Sequence, residues 1–211
     1  MTKHIGILGG TFDPVHNGHI SCADYVQRQC SLDTVRLMPC HLPPHRATPG
    51  VSAEQRAAMV QLAIAGYPKL ALERLELDKQ SPSYTVDSLQ LLHQREPDSR
   101  FYFIIGMDSL CYFRQWKNWP LILKLAHLLV CERPGYQATD GDAPFLLQQY
   151  GVDDMAALQQ STVGGILLLD NPLSAISATD IRCQLQHNRA ASSALDPAVL
   201  NYIQLQQLYQ A

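Results

Sequence analysis

A chain of 211 residues that is 46% hydrophobic and 17% charged can bury a sizeable core and is not disordered. Its net charge of −3 argues against a nucleic-acid binder, which would show a basic face, and no apolar run approaches a membrane span or a signal-peptide core. Six scattered cysteines, Cys22, Cys30, Cys40, Cys111, Cys131 and Cys183, form no Cys-x-x-Cys pair and read as reduced thiols of a cytoplasmic protein.

Residues 4–8, His-Ile-Gly-Ile-Leu, predict a buried first strand. Gly9-Gly10-Thr11-Phe12-Asp13-Pro14-Val15-His16-Asn17-Gly18-His19 follows, and Ile20, Ala23 and Val26 then recur at helical spacing. The stretch is therefore a strand–turn–helix junction at the carboxyl end of a strand, where open α/β sheets bind their ligands. Gly9 and Gly10 lack a Cβ, so a ligand can approach their backbone, and Asp13-Pro14 marks a turn. His16 and His19, three apart near a helix start, can turn both rings to one side, where free N–H groups and the helix dipole favour an anion. Two imidazoles there suit a phosphate chain. The competing reading is a glycine-rich turn with two surface histidines; the histidines framing a glycine directly after it favour the phosphate site. No Gly-x4-Gly-Lys-Ser/Thr P-loop is present.

Residues 34–38 predict a second strand ending at Pro39, and strand, helix, strand implies a right-handed βαβ unit in a parallel sheet. Cys40-His41-Leu42-Pro43-Pro44-His45-Arg46 is too proline-rich for regular structure and leaves the same sheet edge, within reach of the phosphates. Cys40, His41 and His45 lack a second clustered pair, so zinc is not expected. Ser52-Ala53-Glu54-Gln55 starts a helix as a capping box. Residues 70–77 predict a third strand near an edge. A helix starts near Thr85, offering N–H donors again, with an ordinary cap as the alternative. Residues 101–105, Phe-Tyr-Phe-Ile-Ile, are the clearest central strand. It runs into Gly106-Met107-Asp108-Ser109, where Asp108 could meet ribose hydroxyls or an ATP-bound metal, or simply cap the next helix.

Of Trp116 and Trp119 one is expected in the core, although an aromatic above a sheet can also stack on a flat heterocycle. Pro120 reads as the first residue of a short helix and residues 126–131 as a buried strand followed by Arg133. Residues 136–165 carry no evident chemistry beyond a helix over 145–150. Residues 166–169 predict the last strand. Ser177 caps a helix on which Thr179 and Arg182 share a face, giving two hydroxyls and a guanidinium able to fork onto phosphate. Asp196-Pro197 starts a final helix. In a mildly acidic protein the cations for a polyphosphate must be concentrated locally, which singles out Arg46, Arg133 and Arg182.

Residues 9–19 resemble the phosphate-binding signature of the His-x-Gly-His nucleotidyltransferase superfamily. Pro44-His45-Arg46, Ser83-Tyr84-Thr85-Val86-Asp87-Ser88-Leu89, Gly106-Met107-Asp108-Ser109 with Trp116, and Ser177-x-Thr179-x-x-Arg182 resemble, in this order and spacing, the bacterial nicotinate-nucleotide adenylyltransferases from residue 5 to about 185. The resemblance implies an α/β fold, a Rossmann-like open parallel sheet with helices on both faces. It implies one domain over residues 1–211 with a small C-terminal helical part from about 177. The implied reaction joins nicotinic acid mononucleotide to the adenylyl group of ATP, giving deamido-NAD and pyrophosphate, in NAD biosynthesis.

Carried across, Gly9, Gly10, Thr11, Phe12, His16 and His19, with Gly106 and Asp108, would line the ATP site. Ser177, Thr179 and Arg182 would hold its phosphates. Arg46, Tyr84, Thr85, Trp116 and Arg133 would border the mononucleotide. His19 is assigned to the α-phosphate in the transition state and His16 to phosphate orientation. Mg²⁺ would ride on the leaving phosphates, with no dedicated protein site. ATP and nicotinic acid mononucleotide are the implied partners; nucleic acid and membrane are not, and self-association into a homo-oligomer stays open. Two departures stand out: Arg46 lies where many relatives have lysine, and Ala178 where they often have a second serine. The alternatives are an adenylyltransferase for nicotinamide mononucleotide or another phosphate acceptor, and a non-catalytic nucleotide sensor. Intact His16 and His19 argue against the sensor.

Overall fold

A computed structural model describes residues 2–41, 51–78, 82–161, 164–187 and 193–210. Strand β1 (His4–Gly10) leads through α1 (Asn17–Gln29) to β2 (Thr34–Pro39), and through α2 (Ala53–Ala63) to β3 (Leu70–Leu72). Helix α3 (Thr85–Arg95) returns the chain to β4 (Arg100–Gly106), followed by the short α4 (Met107–Leu110), a 3-10 turn at Phe113–Gln115, α5 (Trp119–Leu125) and β5 (His127–Cys131). Helices α6 (Ala143–Tyr150) and α7 (Met155–Gln160) precede β6 (Ile166–Leu169), after which come α8 (Ala178–Gln186) and α9 (Pro197–Leu205).

The six strands pair in parallel in the order β3-β2-β1-β4-β5-β6. The chain steps outward from β1 to β3, then returns to the other side of β1 and steps outward again. The order therefore reverses between β1 and β4, and the carboxyl ends of those two strands open the crevice where such sheets bind ligands.

Strand residues alternate between two cores, as period-two geometry requires. Ile5, Ile7, Phe101, Phe103, Leu128 and Val130 pack with Val86, Leu89 and Leu92 of α3 and Ile122 of α5. Tyr102, Ile104, Leu129 and Cys131 face the other way, onto Ile20, Ala23 and Val26 of α1, Met59 and Val60 of α2, and Val199 and Ile203 of α9. Burial on both faces is why these strands read as unbroken apolar runs.

The capping box at Ser52 is made in both directions: Gln55 N–H donates to Ser52 Oγ at 3.2 Å and Ser52 N–H to Gln55 Oε1 at 2.9 Å. Four expectations need correction. The first strand runs two residues further, so Gly9 and Gly10 are its paired end, opposite Met38 and Pro39. The third strand stops at Leu72, because the buried Glu73 carboxylate accepts from Leu75 N–H at 3.1 Å and folds the chain away from the sheet. Trp119 opens α5 ahead of Pro120, which still lies in the first turn where its missing N–H costs nothing. Helix α7 was not foreseen; Asp154 caps it by accepting from Ala157 N–H at 2.7 Å. Among the described residues, no helix is long and apolar enough to cross a membrane.

Candidate active site

Beyond β1 the chain doubles back on itself. Phe12 takes φ +48° and its ring folds over Gly10, where an added Cβ would stand 3.0 Å from the ring. Side-chain packing thus fills the space a Cβ would need, which explains why a glycine is required at position 10. Phe12 is 2% exposed and meets the His19 ring edge-on at 5.0 Å.

His16 is the N-cap residue of α1, and His19 lies one turn on. Their rings stack at 3.6 Å between centroids and 23° between planes. Gly18 permits this, since a Cβ there would approach the His16 ring to 3.2 Å and Ser174 Oγ to 2.8 Å. The His16 N–H donates to His19 Nδ1 at 3.3 Å, so a neutral His19 carries its proton on Nε2 and can donate from that nitrogen. His16 is buried and its Nδ1 has no hydrogen-bond partner. Burial lowers its pKa from 6.5 to about 4, with a smaller contribution from the Arg133 charge, so at neutral pH the imidazole is uncharged.

Three side chains from elsewhere in the chain hold the turn. Arg182 Nη1 donates to the Asp13 carbonyl at 2.6 Å, and its Nη2 to Thr179 Oγ1 at 3.3 Å. The helix face shared by Thr179 and Arg182 is therefore brought to the turn after β1. Ser177 caps α8 through Asp180 N–H at 3.1 Å while its hydroxyl donates to Asp180 Oδ2 at 2.7 Å. Tyr209 O–H donates to Asp13 Oδ1 at 2.6 Å, and Arg56 Nη1 donates to the Thr11 carbonyl at 2.7 Å. Sequence reasoning missed both of the last two. Tyr209 carries no local signal. Arg56 does: it falls in register with Met59, Val60 and Ala63, an arginine in the buried stripe of α2.

On the other face of the sheet, Tyr84 is the N-cap residue of α3 and Thr85 its first helical residue; Tyr84 makes no side-chain cap. Trp116 lies 6.2 Å from Phe103 and 5.2 Å from Phe113 and is half-buried, as is Trp119, so neither tryptophan is a full core residue. Lys117 was also missed. It sits 4.5 Å above the Tyr84 ring and 2.9 Å from Asp87, putting a cation beside the start of α3 from 30 residues away.

Gly106 is the N-cap residue of α4, and Asp108 stands in its first turn rather than capping it. Arg133, expected beside the mononucleotide, has its Nε 3.7 Å from Asp108 Oδ1, and its charge reaches His16. A cleft of about 660 Å³ opens alongside, lined by Met107, Arg133, Tyr136, Asp170 and Leu173 among others. Arg46, with Pro44 and His45, lies outside the described residues.

A His-x-Gly-His pair at the switch point of a 3-2-1-4-5-6 parallel sheet is a nucleotidyltransferase arrangement, and the sequence profile of the cytidylyltransferase-like family matches residues 7–184. The probable nicotinate-nucleotide adenylyltransferase of Cronobacter sakazakii is 44% identical over the whole chain and 99% of its own length. That of Shewanella frigidimarina is 40% identical over 98% of the chain and 99% of its length. The chain belongs to the cytidylyltransferase-like family and, within it, to the nicotinate-nucleotide adenylyltransferases. The fold is also that of a Plasmodium falciparum nicotinic acid mononucleotide adenylyltransferase solved with NaAD, at a TM-score of 0.76, 20% identity and 98% and 97% coverage of the two chains.

Proposed function

We propose that this chain transfers the adenylyl group of ATP to nicotinic acid mononucleotide, giving deamido-NAD and pyrophosphate in NAD biosynthesis. The observation that carries the reading is the stacked His16–His19 pair at the crevice between β1 and β4. The acceptor phosphate is already an anion, so no serine or cysteine needs activating. The enzyme has to align two nucleotides and to stabilise charge on the α-phosphate and the departing pyrophosphate.

His19 fits the α-phosphate role, because its Nδ1 is occupied by the His16 N–H and its Nε2 carries the proton. A neutral His16 orients phosphate by hydrogen bonding, not by charge. Arg182 supplies charge: a guanidinium has five N–H donors, and its bonds to Asp13 and Thr179 leave others for the ATP phosphates. Thr179 offers a hydroxyl, and Ser177 would do so by releasing Asp180. Gly9, Gly10, Thr11 and Phe12 shape the wall of this site. The cleft beside Gly106, Asp108 and Arg133 has the size of a nucleoside subsite, and we assign it the adenosine end of ATP. Arg46 and Arg133 are assigned to the mononucleotide.

Mg²⁺ fits this donor set as a cation carried by the phosphates: among the described residues no three His, Cys, Asp or Glu side chains gather, while Asp108 offers a single carboxylate beside Arg133. When bound it would neutralise charge on the leaving pyrophosphate. Incubating the enzyme with ATP and Mg²⁺, with and without nicotinic acid mononucleotide, tests the whole reading. Pyrophosphate should appear only with both nucleotides, whereas a nucleotide sensor would bind ATP and release none.

The acid is chosen over the amide at Tyr84, Thr85 and Trp116. Trp116 can stack on the pyridine ring but cannot tell the two apart. The N–H groups at the start of α3 favour the negative end of nicotinate, while the charge of Lys117 beside Tyr84 is taken up by Asp87. Nicotinamide would set an NH₂ against a donor, at about 1–3 kcal/mol, so a preference on the order of 10² in kcat/KM is expected. Steady-state kinetics with both mononucleotides measure it, and equal values would show that this helix start does not select.

A further inference from the structure

Arg56 is a buried cation with little to hold it. It is the fourth residue of α2 and 1% exposed. Burial opposes its charge, and so does the positive end of the α2 dipole. Among the described residues it has no ion-pair partner, and Glu54 in the same turn is taken by Arg74. Its Nε is buried without a hydrogen bond. What it does have is two carbonyls from two different loops: Nη1 donates to Thr11 O at 2.7 Å and Nη2 to His41 O at 3.4 Å.

The first of those bonds has a geometric effect. A trans peptide carries its C=O and N–H on opposite sides. Pinning the Thr11 carbonyl onto Arg56 therefore turns the Phe12 N–H away from α2. Phe12 itself stands at φ +48°, a left-handed conformation that a bulky residue keeps only when its surroundings impose it. Its ring in turn backs the edge of His19 at 5.0 Å. A continuous chain of contacts thus runs from Arg56 through Thr11 and Phe12 to His19.

We propose that Arg56 is a positioning residue for adenylyl transfer: by fixing the Thr11 peptide it holds Phe12 left-handed and so sets the His19 ring. The inference rests on the reading of His16 and His19 as the phosphate-handling pair. Arg56→Lys keeps the charge but cannot span both carbonyls as a planar fork. It should lower kcat by about 10²-fold with both KM values nearly unchanged, the mark of a misplaced catalytic group. The ¹⁵N shifts of the His19 ring should move, while those of His127 at the opposite sheet edge stay in place. In a His19→Ala background the same substitution should change kcat by less than about twofold, because both act through one side chain. An equal loss in both backgrounds, or a lower Tm with kcat intact, would overturn the proposal and leave Arg56 a structural residue. Normal kcat in His19→Ala alone would overturn the histidine reading and this inference with it. Should Arg56→Lys not fold, Phe12→Leu tests the same chain with Arg56 in place. A kcat loss that vanishes in the His19→Ala background supports the proposal, and an unchanged kcat overturns it.

Discussion

The sheet carries a histidine cluster at each end, each with one buried histidine. At the carboxyl edge His16 stacks on His19; at the amino edge His127 stacks on Tyr102 at 5.2 Å, and the Tyr102 hydroxyl meets His4 Nδ1 at 2.8 Å. His16 and His127 share their electrostatics. Each has a buried ring nitrogen without a partner, and burial lowers each pKa to about 4, assisted by a nearby arginine, Arg133 at one end and Arg100 at the other. They differ in surroundings. His127 is fully enclosed and its Nδ1 accepts from Gly165 N–H at 3.2 Å, which closes the cluster over. The His16–His19 pair stands at the switch point, beside a cleft and under a turn braced from three directions. Burial alone therefore makes a neutral imidazole, and a depressed pKa does not by itself mark a site. Position relative to the strand ends decides between packing and chemistry.

Removing each cluster separately should break the symmetry most clearly. Losing one transition-state donor costs roughly 10²–10³ in rate, about 2.7–4 kcal/mol, so His19→Ala should lower kcat by that order while ATP still binds. His127→Phe should leave kcat and both KM values alone. It strands the Gly165 N–H and should lower stability by about 1–3 kcal/mol in denaturant titration. If His127→Phe slows turnover while His19→Ala does not, the assignment of the two ends is reversed.

Acid should act on both ends alike. The unfolded chain accepts a proton on each histidine near pH 6.5, the folded protein only near about 4. The unfolded state therefore holds more protons in that window, and stability is full above about pH 6.5 and declines as pH falls toward 4. The loss is on the order of 3 kcal/mol per ring. Tm followed against pH should show it, and His127→Phe should flatten the slope by about half, since one of the two rings is gone.

A smaller effect sharpens the same contrast among arginines. Arg182→Ala should raise the ATP KM about tenfold, near 1.4 kcal/mol, with little change for the mononucleotide. Arg100→Ala at the other end, where the guanidinium donates to Gln159 O at 2.6 Å, should change neither. Equal small changes from both variants would leave the start of α8 a purely structural feature.

The strands buried on two faces were legible because an apolar run has few other uses, and β2, β4, β5 and β6 fall where residues 34–38, 101–105, 126–131 and 166–169 predicted. β3 was not, because its end is set by Glu73 and the arginines around it, Arg36 and Arg95, which meet only in the folded chain. The histidine pair was legible because its two members are three residues apart and helical geometry places them together. The braces were not, since Arg56 reaches Thr11 across 45 residues and Lys117 reaches Asp87 across 30. No local pattern records a contact whose partners lie on different elements; only the misplaced charge of Arg56 in an apolar stripe hinted at one.

The clasp between Asp13 and Tyr209 joins residues 196 apart, and that between Asp13 and Arg182 residues 169 apart. Ribosomes add about 5–20 residues per second from the N-terminus, so Asp13 exists for roughly 10–40 s before Tyr209 is made. Throughout that interval the growing chain can pair β1 with β2, bury the first helix and brace Thr11 through Arg56, yet the turn after β1 still lacks the Tyr209 clasp. The stretch translated first is thus among the last to receive all of its braces, because the Tyr209 clasp waits until synthesis has passed residue 209.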